Sequence, residues 1–167
     1  MVDQAWRPRV AGVGGGVGVS VLAAALWAYD DDLYLDGEPV DVLVCRSTVG
    51  SVSEAQRAAA TAPYPPVLAV VADLPAAAGF PVPPPEVTAL TRMGERHVAA
   101  QVGVPFVTHW RTRPCPEQDV ESLLIPGAEV PAWLTGFATA IVRLIAAIQG
   151  PLAEAKAHAR HPAYPAA

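Results

Sequence analysis

A glycine-rich phrase near the start of the chain carries the clearest chemical signature. Residues 10–20 read V-A-G-V-G-G-G-V-G-V-S and precede a stretch of helix-forming residues. A strand, a glycine turn and a helix form a phosphate cradle, because N–H groups point inward and the helix N-terminus adds partial positive charge. Glycine is needed because a side chain would block close approach and disfavour positive φ. The predicted phosphate-loop positions are Gly14, Gly15, Gly16, Val17, Gly18, Val19 and Ser20.

The phrase resembles the deviant Walker A loop of the MinD/ParA group of P-loop ATPases (the SIMIBI class), G-K-G-G-x-G-K-[ST]. Laid over residues 13–20, the motif agrees at Gly15, Gly16, Gly18 and Ser20. Val13 stands at its first glycine, Gly14 at its signature lysine and Val19 at its phosphate-binding lysine. The chain is more similar still to short bacterial proteins of high-GC genomes that carry a G-G-x-G-V-S-T-L-A-A-L phrase and lack the same lysine.

The missing lysine governs the chemistry that the resemblance implies. A P-loop lysine offsets the charge of the β- and γ-phosphates, which a valine cannot do. The one lysine of the chain is Lys156, far away in sequence. Asp73 is the best candidate for a magnesium ligand but is interpreted as a turn aspartate, and Arg46 is a candidate cation for the same edge. Ser20 is interpreted as a helix cap rather than as a magnesium ligand.

The resemblance therefore implies a non-catalytic, pseudo-ATPase module that acts through protein–protein interaction, in a partition or mobile-element-linked system. It implies no catalytic residues, no metal ligands and no cofactor. The alternative is a weak nucleotide-binding or nucleotide-hydrolysing protein that holds ATP or ADP with Mg²⁺ by backbone amides alone.

A nicotinamide-dinucleotide site is a lower alternative. The spacing G-x-x-x-G-x-G fits Gly12, Gly16 and Gly18, as in short-chain dehydrogenases, and Asp36 stands near the position of a ribose-binding acid. The Y-x-x-x-K pair of that family is absent.

Other reactive residues lack the spacing that catalysis or metal binding needs. Ser51 stands where a phosphatase loop that begins at Cys45 would need arginine. Among the histidines, only His158 and His161 are close in sequence, and they fall in a predicted tail. The G-x-S-x-G elbow of Ser-His-Asp hydrolases is absent.

Alternating apolar runs and helical segments predict the elements that position the glycine turn. Strands are predicted at 9–13, 40–45, 67–72 and 105–110, and helices at 19–29, 51–62, 86–102 and 131–149. Residues 30–39 are predicted to form a polar loop. This pattern predicts an α/β, three-layer, P-loop NTPase-like fold, with a mostly parallel sheet of about four or five strands and helices on both faces.

Composition sets the remaining expectations. The 167 residues are 52% hydrophobic and 16% charged, which predicts one compact domain over 1–157 with a flexible tail over 158–167. A net charge of −5 without a basic run argues against nucleic acid and anionic lipid as partners. The 131–149 helix is short for a membrane span and carries Arg143, so it is predicted to pack on the sheet or contact a protein partner or second copy. A cytoplasmic location is expected.

Overall fold

The computed structural model describes residues 6–74 and 83–160. In this part of the chain, five parallel strands form one sheet in the order β2-β1-β3-β4-β5. The strands are β1 (Arg9–Gly12), β2 (Tyr29–Leu33), β3 (Val42–Arg46), β4 (Val67–Val71) and β5 (Ala100–Val104). The central strands are runs of valine, leucine and alanine because both of their faces are buried.

Helices cover both faces of the sheet. They are α1 (Val19–Leu26), α2 (Val49–Thr61), α3 (Pro85–Met93), α4 (Pro116–Glu121), α5 (Thr135–Ala147) and α6 (Ala153–Arg160). Side chains of α1, α4 and α5 share one hydrophobic core with the sheet, and side chains of α2 and α3 share the other. The predicted three-layer α/β fold with a parallel sheet is therefore confirmed, and the architecture is consistent with a P-loop-like fold.

The strand order places the glycine turn at the centre of the molecule. In a doubly wound sheet of order 2-1-3-4-5, the chain winds in opposite directions on either side of the gap between β1 and β3, and ligands bind at the carboxyl ends of the strands there. We call this end of the sheet the carboxyl edge; it carries residues 13–18, 46–48, 72–74 and 105–111. The opposite end is the amino edge.

The predicted polar loop over residues 30–39 is wrong in its first part, because Tyr29–Leu33 is an edge strand paired with β1. Three consecutive aspartates are tolerated there because β2 has one neighbour and is exposed on nearly all positions. The Nε of Arg9 contacts the Oδ2 of Asp31 at 2.7 Å. Charged side chains also protect an exposed strand edge from unwanted pairing.

Two predicted elements around residue 100 are misplaced. The helix that begins at Pro85 ends at Met93 rather than at residue 102, and the next strand is Ala100–Val104 rather than 105–110. The segment that begins at Pro105 is instead a turn followed by a short 3₁₀ helix, Thr108–Thr112. Pairing with β4 along its whole length selects A-Q-V-G-V as the strand, although its own propensity is weak.

The C-terminal helix does not stop at Gly150-Pro151 as predicted. It continues through a wide π-helical turn, Ile148–Leu152, into α6. Proline has no backbone N–H to donate. It is tolerated here because a π-helical turn already departs from the regular i→i−4 hydrogen-bond pattern. His158 is therefore helical, and residues 161–167 lie outside the described part of the chain.

The continuous stretch Ala132–Arg160 has 29 residues and is long and apolar enough to cross a membrane by length and composition. Its core-facing side chains, however, pack on the sheet, and Phe137, Leu144 and Leu152 are fully buried in the first core. This arrangement is that of a core helix.

Candidate functional site at the carboxyl edge

The interior of the glycine turn is filled by the chain itself. Val17 is 4% exposed and Val19 is 7% exposed, and both belong to the hydrophobic core. A Cβ added to Gly12 would lie 2.6 Å from the Cγ2 of Val17 and 2.7 Å from the Cγ2 of Val19. The two valines thus pack onto the backbone at Gly12 and join the hydrophobic core.

The outer side of the turn is open. A Cβ on Gly14, Gly15 or Gly16 would meet no atom within 4 Å. Gly16 and Gly18 adopt φ values of 69° and 97°, which favour glycine and explain two of the matches to the P-loop pattern. Gly14 and Gly15 are therefore permitted by the open space around them rather than required by packing.

Ser20 does not cap the helix, contrary to the sequence-based interpretation. The N-cap of α1 is Gly18, in the left-handed conformation and without a side-chain hydrogen bond. Ser20 is exposed in the first turn of the helix.

Arg46 links the glycine turn to the next two strands. Its Nη2 donates a hydrogen bond to the carbonyl oxygen of Gly16, and its Nη1 lies 3.4 Å from the Oδ1 of Asp73. The candidate cation and the candidate magnesium ligand are thus brought together, and they are paired with each other. Asp73 also holds its loop in place, because its N–H donates to the Oγ of Ser47 at 3.0 Å.

The loop after β3 caps α2, which begins at Val49 rather than at residue 51. Thr48 is the N-cap, and its Oγ1 accepts a hydrogen bond from the N–H of Ser51 at 3.3 Å. The Oγ of Ser51 turns back and accepts from the N–H of Arg46 at 2.9 Å. These bonds fix the direction in which the Arg46 side chain leaves the strand.

A mostly apolar cavity of about 220 Å³ opens beside the turn, between α1, α5 and the segment after β5. Sequence reasoning missed its lining residues after β5, chiefly Phe106, Trp110 and Arg111. The signal that could have found them is the unusual run F-V-T-H-W-R-T-R, which mixes aromatic and basic side chains directly after a strand. Trp110 is fixed by its indole N–H, which donates to the Oδ2 of Asp119 at 3.1 Å, and by an edge-on contact with Phe137.

The lysine of the chain lies at the other end of the sheet. The Nζ of Lys156 is 2.5 Å from the Oδ1 of Asp41, a buried carboxylate at the amino edge. The hydroxyl of Tyr64 donates to the same oxygen at 2.8 Å, and the N–H of Arg9 donates to the Oδ2 at 2.9 Å. Burial, together with the charge of Asp41, raises the pKa of Tyr64 above its usual value.

The other candidates are not brought into one site. Asp36 lines a different groove, with Glu54 and Arg57, on the far side of the sheet from the apolar cavity. Cys45 is buried in β3, and burial raises the pKa of its thiol to about 12, so it is a poor nucleophile. Among the described residues, no group of three His, Cys, Asp or Glu side chains is placed to hold a metal ion.

Comparison of the chain with protein families, with curated proteins and with solved structures found no significant match.

Proposed function

We propose that this protein is a non-catalytic, P-loop-like α/β module that acts through protein–protein contacts. The packing of Val17 and Val19 against Gly12 carries the proposal, because Val19 stands at the lysine position of the P-loop pattern and its side chain is buried in the core. The nearest cation, Arg46, is engaged by Asp73 and by the glycine turn. Under this proposal, the glycine turn serves as a structural connection between β1 and α1.

Thermal unfolding with and without millimolar ATP, ADP and Mg²⁺ tests the first half of the proposal. A ligand at 100 times its Kd stabilises a protein by about 2.7 kcal/mol, which for a chain of this size raises Tm by roughly 5–10 °C. We expect no such shift for the wild type. A magnesium-dependent shift would contradict the proposal and favour the alternative, a weak nucleotide-binding protein.

A Val19→Lys variant, with Val19→Met as its packing control, distinguishes two reasons why the turn would not bind a nucleotide. Either the turn lacks only its lysine, or its own side chains already fill it. Both variants replace the buried valine by a longer chain, and only one adds a charge. We expect neither to gain a nucleotide-dependent shift, because Val17 and the Arg46–Gly16 bond still fill the turn. A gain in Val19→Lys alone would show that the site lacks only its lysine.

The outward face of α5 is the proposed contact surface, with a partner protein or with a second copy. Val142 is 66% exposed and Ile145 is 40% exposed, while the opposite face of the helix is in the core. Side chains three apart on a helix lie on the same face, so the two form one apolar strip.

Light scattering over a rising protein concentration tests self-association through this strip. We expect a Val142→Asp/Ile145→Asp double variant to lower the average mass, whereas Val49→Asp, which changes a comparably exposed aliphatic residue on α2, leaves it unchanged. If the wild type is monomeric throughout, a second copy is excluded. A photo-crosslinking residue at position 145, compared with one at 49, then tests for a different partner.

A further inference from the structure

The cavity beside the glycine turn has walls made almost entirely of hydrocarbon. It lies at the carboxyl ends of β4 and β5, against the start of α1 and the first turns of α5. The apolar wall residues are Val17, Val21, Leu22, Val71, Val107 and Phe137, with Phe106 and Trp110 at one side. Such a surface favours an apolar guest, because burial removes apolar area from water on both sides.

The volume limits the guest to one ring or one branched chain. A dry cavity of roughly 150 Å³ holds benzene, whereas drug-sized ligands occupy about 300–1,000 Å³. At about 220 Å³, this cavity accepts a substituted ring.

The charged residues that line the cavity are both arginines, Arg46 and Arg111, although the whole chain has a net charge of −5. Arg46 shares its guanidinium between Asp73 and the carbonyl of Gly16. Arg111 lies over the ring of Phe106, 5.8 Å from its centroid. Among the described residues, no carboxylate lies within 4.0 Å of the Arg111 guanidinium.

The other polar group near the wall is already used. The indole N–H of Trp110 donates to Asp119, so it is not available to a guest. A guest with several polar groups would leave them unpaired against hydrocarbon, which is costly. The cavity therefore suits a molecule with an apolar body and one anionic end.

We propose that this cavity binds a small carboxylic acid with one aromatic ring or branched chain, whose carboxylate is held by Arg111. Arginine is the side chain best suited to this contact, because its planar guanidinium matches a carboxylate in two parallel hydrogen bonds. Arg46 adds a weaker attraction, since two of its donors already bind Asp73 and Gly16. This proposal goes beyond protein–protein contact and does not depend on it.

Phenylacetate is the probe, titrated into ¹⁵N-labelled full-length protein and followed by ¹H–¹⁵N NMR. The indole resonance of Trp110, assigned with Trp110→Phe, reports on the cavity, and that of Trp27 reports on the amino edge. For a ligand of about ten heavy atoms we expect a Kd of about 1 mM or below. Phenylacetamide has the same shape without the charge, and we expect it to bind at least about tenfold more weakly.

Three variants locate the binding. Arg111→Ala is expected to weaken phenylacetate by about tenfold or more, and Arg46→Ala by less. Val21→Phe places a ring in the cavity from α1 and is expected to abolish binding while the dispersed NMR spectrum shows that the fold is kept. Arg57→Ala, on the other face of the sheet, is the charge-matched control and should leave Kd unchanged.

Three results would overturn the proposal. One is no movement of the Trp110 resonance at 20 mM phenylacetate. A second is equal affinity for phenylacetamide, which would make the cavity a site for neutral apolar molecules. The third is unchanged binding by both Arg111→Ala and Val21→Phe, which would place the ligand elsewhere. A nucleotide-dependent Tm shift would contradict the proposed function and leave this inference standing.

Discussion

The two ends of the sheet use charge in different ways. At the amino edge, Asp41 is 2% exposed and receives hydrogen bonds or charge from Arg9, Tyr64 and Lys156. At the carboxyl edge, Arg46 and Asp73 form a pair that is partly open to solvent. A buried charge network is structural, because removing one member leaves the other charges buried without a partner. An exposed pair contributes little to stability, and its members can exchange partners. Lys156, the one lysine of the chain, therefore pairs with a buried carboxylate at the amino edge, at the opposite end of the sheet from the glycine turn.

The largest expected loss of stability comes from a substitution that disrupts the amino-edge network. Asp41→Asn leaves Lys156, which is 17% exposed at its side chain, without its carboxylate partner. Loss of one member of a buried pair costs about 3–5 kcal/mol. Urea unfolding should show this loss of stability, and Lys156→Met in the same background should recover part of it. A loss below about 1 kcal/mol would mean that water reaches the network.

The next largest loss of stability is expected at the glycine turn, where it tests whether packing rather than charge determines the conformation. Gly12→Ala places a methyl group against Val17 and Val19, and overpacking of this kind costs about 1–3 kcal/mol. Gly14→Ala is the matched control, because its Cβ would meet open space, and should change stability by less than about 0.5 kcal/mol. Equal effects from the two variants in urea unfolding would show that the turn is not filled.

The free energy of unfolding, measured as a function of pH, tests the role of Tyr64 at the amino edge. Its pKa is raised in the folded state, so the tyrosine stabilises the fold fully below its unfolded pKa of about 10 and loses this contribution as pH rises further. The stability gap between the wild type and Tyr64→Phe should therefore narrow as the pH rises above about 10. Asp41, Arg9, Arg160 and Lys156 face this hydroxyl.

Tyr34→Phe is the control for that titration, because its hydroxyl lies 3.4 Å from the Oγ1 of Thr61 rather than beside a buried charge. A gap for Tyr64→Phe that widens with pH would reverse the sign of the argument.

The smallest effect belongs to the exposed pair at the carboxyl edge. Asp73→Asn should change the free energy of unfolding by about 0–1 kcal/mol, since solvent screens the partner charge. Its effect should shrink further in 1 M salt. A cost comparable with that of Asp41→Asn would remove the distinction between the two edges.

The strand-turn-helix around the glycine phrase and the strands β3 and β4 were predictable from sequence. Val42–Arg46 and Val67–Val71 are short valine-rich apolar runs, a pattern typical of parallel strands that are buried on both faces. Ala100–Val104 was missed because it contains Gly103 and Gln101 and becomes a strand through pairing with β4. Tyr29–Leu33 was missed because three aspartates are compatible with a strand only at an exposed edge.

By itself, then, the sequence determined the α/β class, the parallel sheet and the presence of valine rather than lysine at position 19, since these follow from local pattern and residue identity. Tertiary structure decided what fills the glycine turn, because Val17 and Val19 become buried only when α1 packs over Gly12. It also decided the partners of Arg46 and Lys156 and the cavity beside Trp110. Those contacts join residues about 27 to 115 positions apart in sequence, and the order of strands together with the packing of helices on the sheet brings them together.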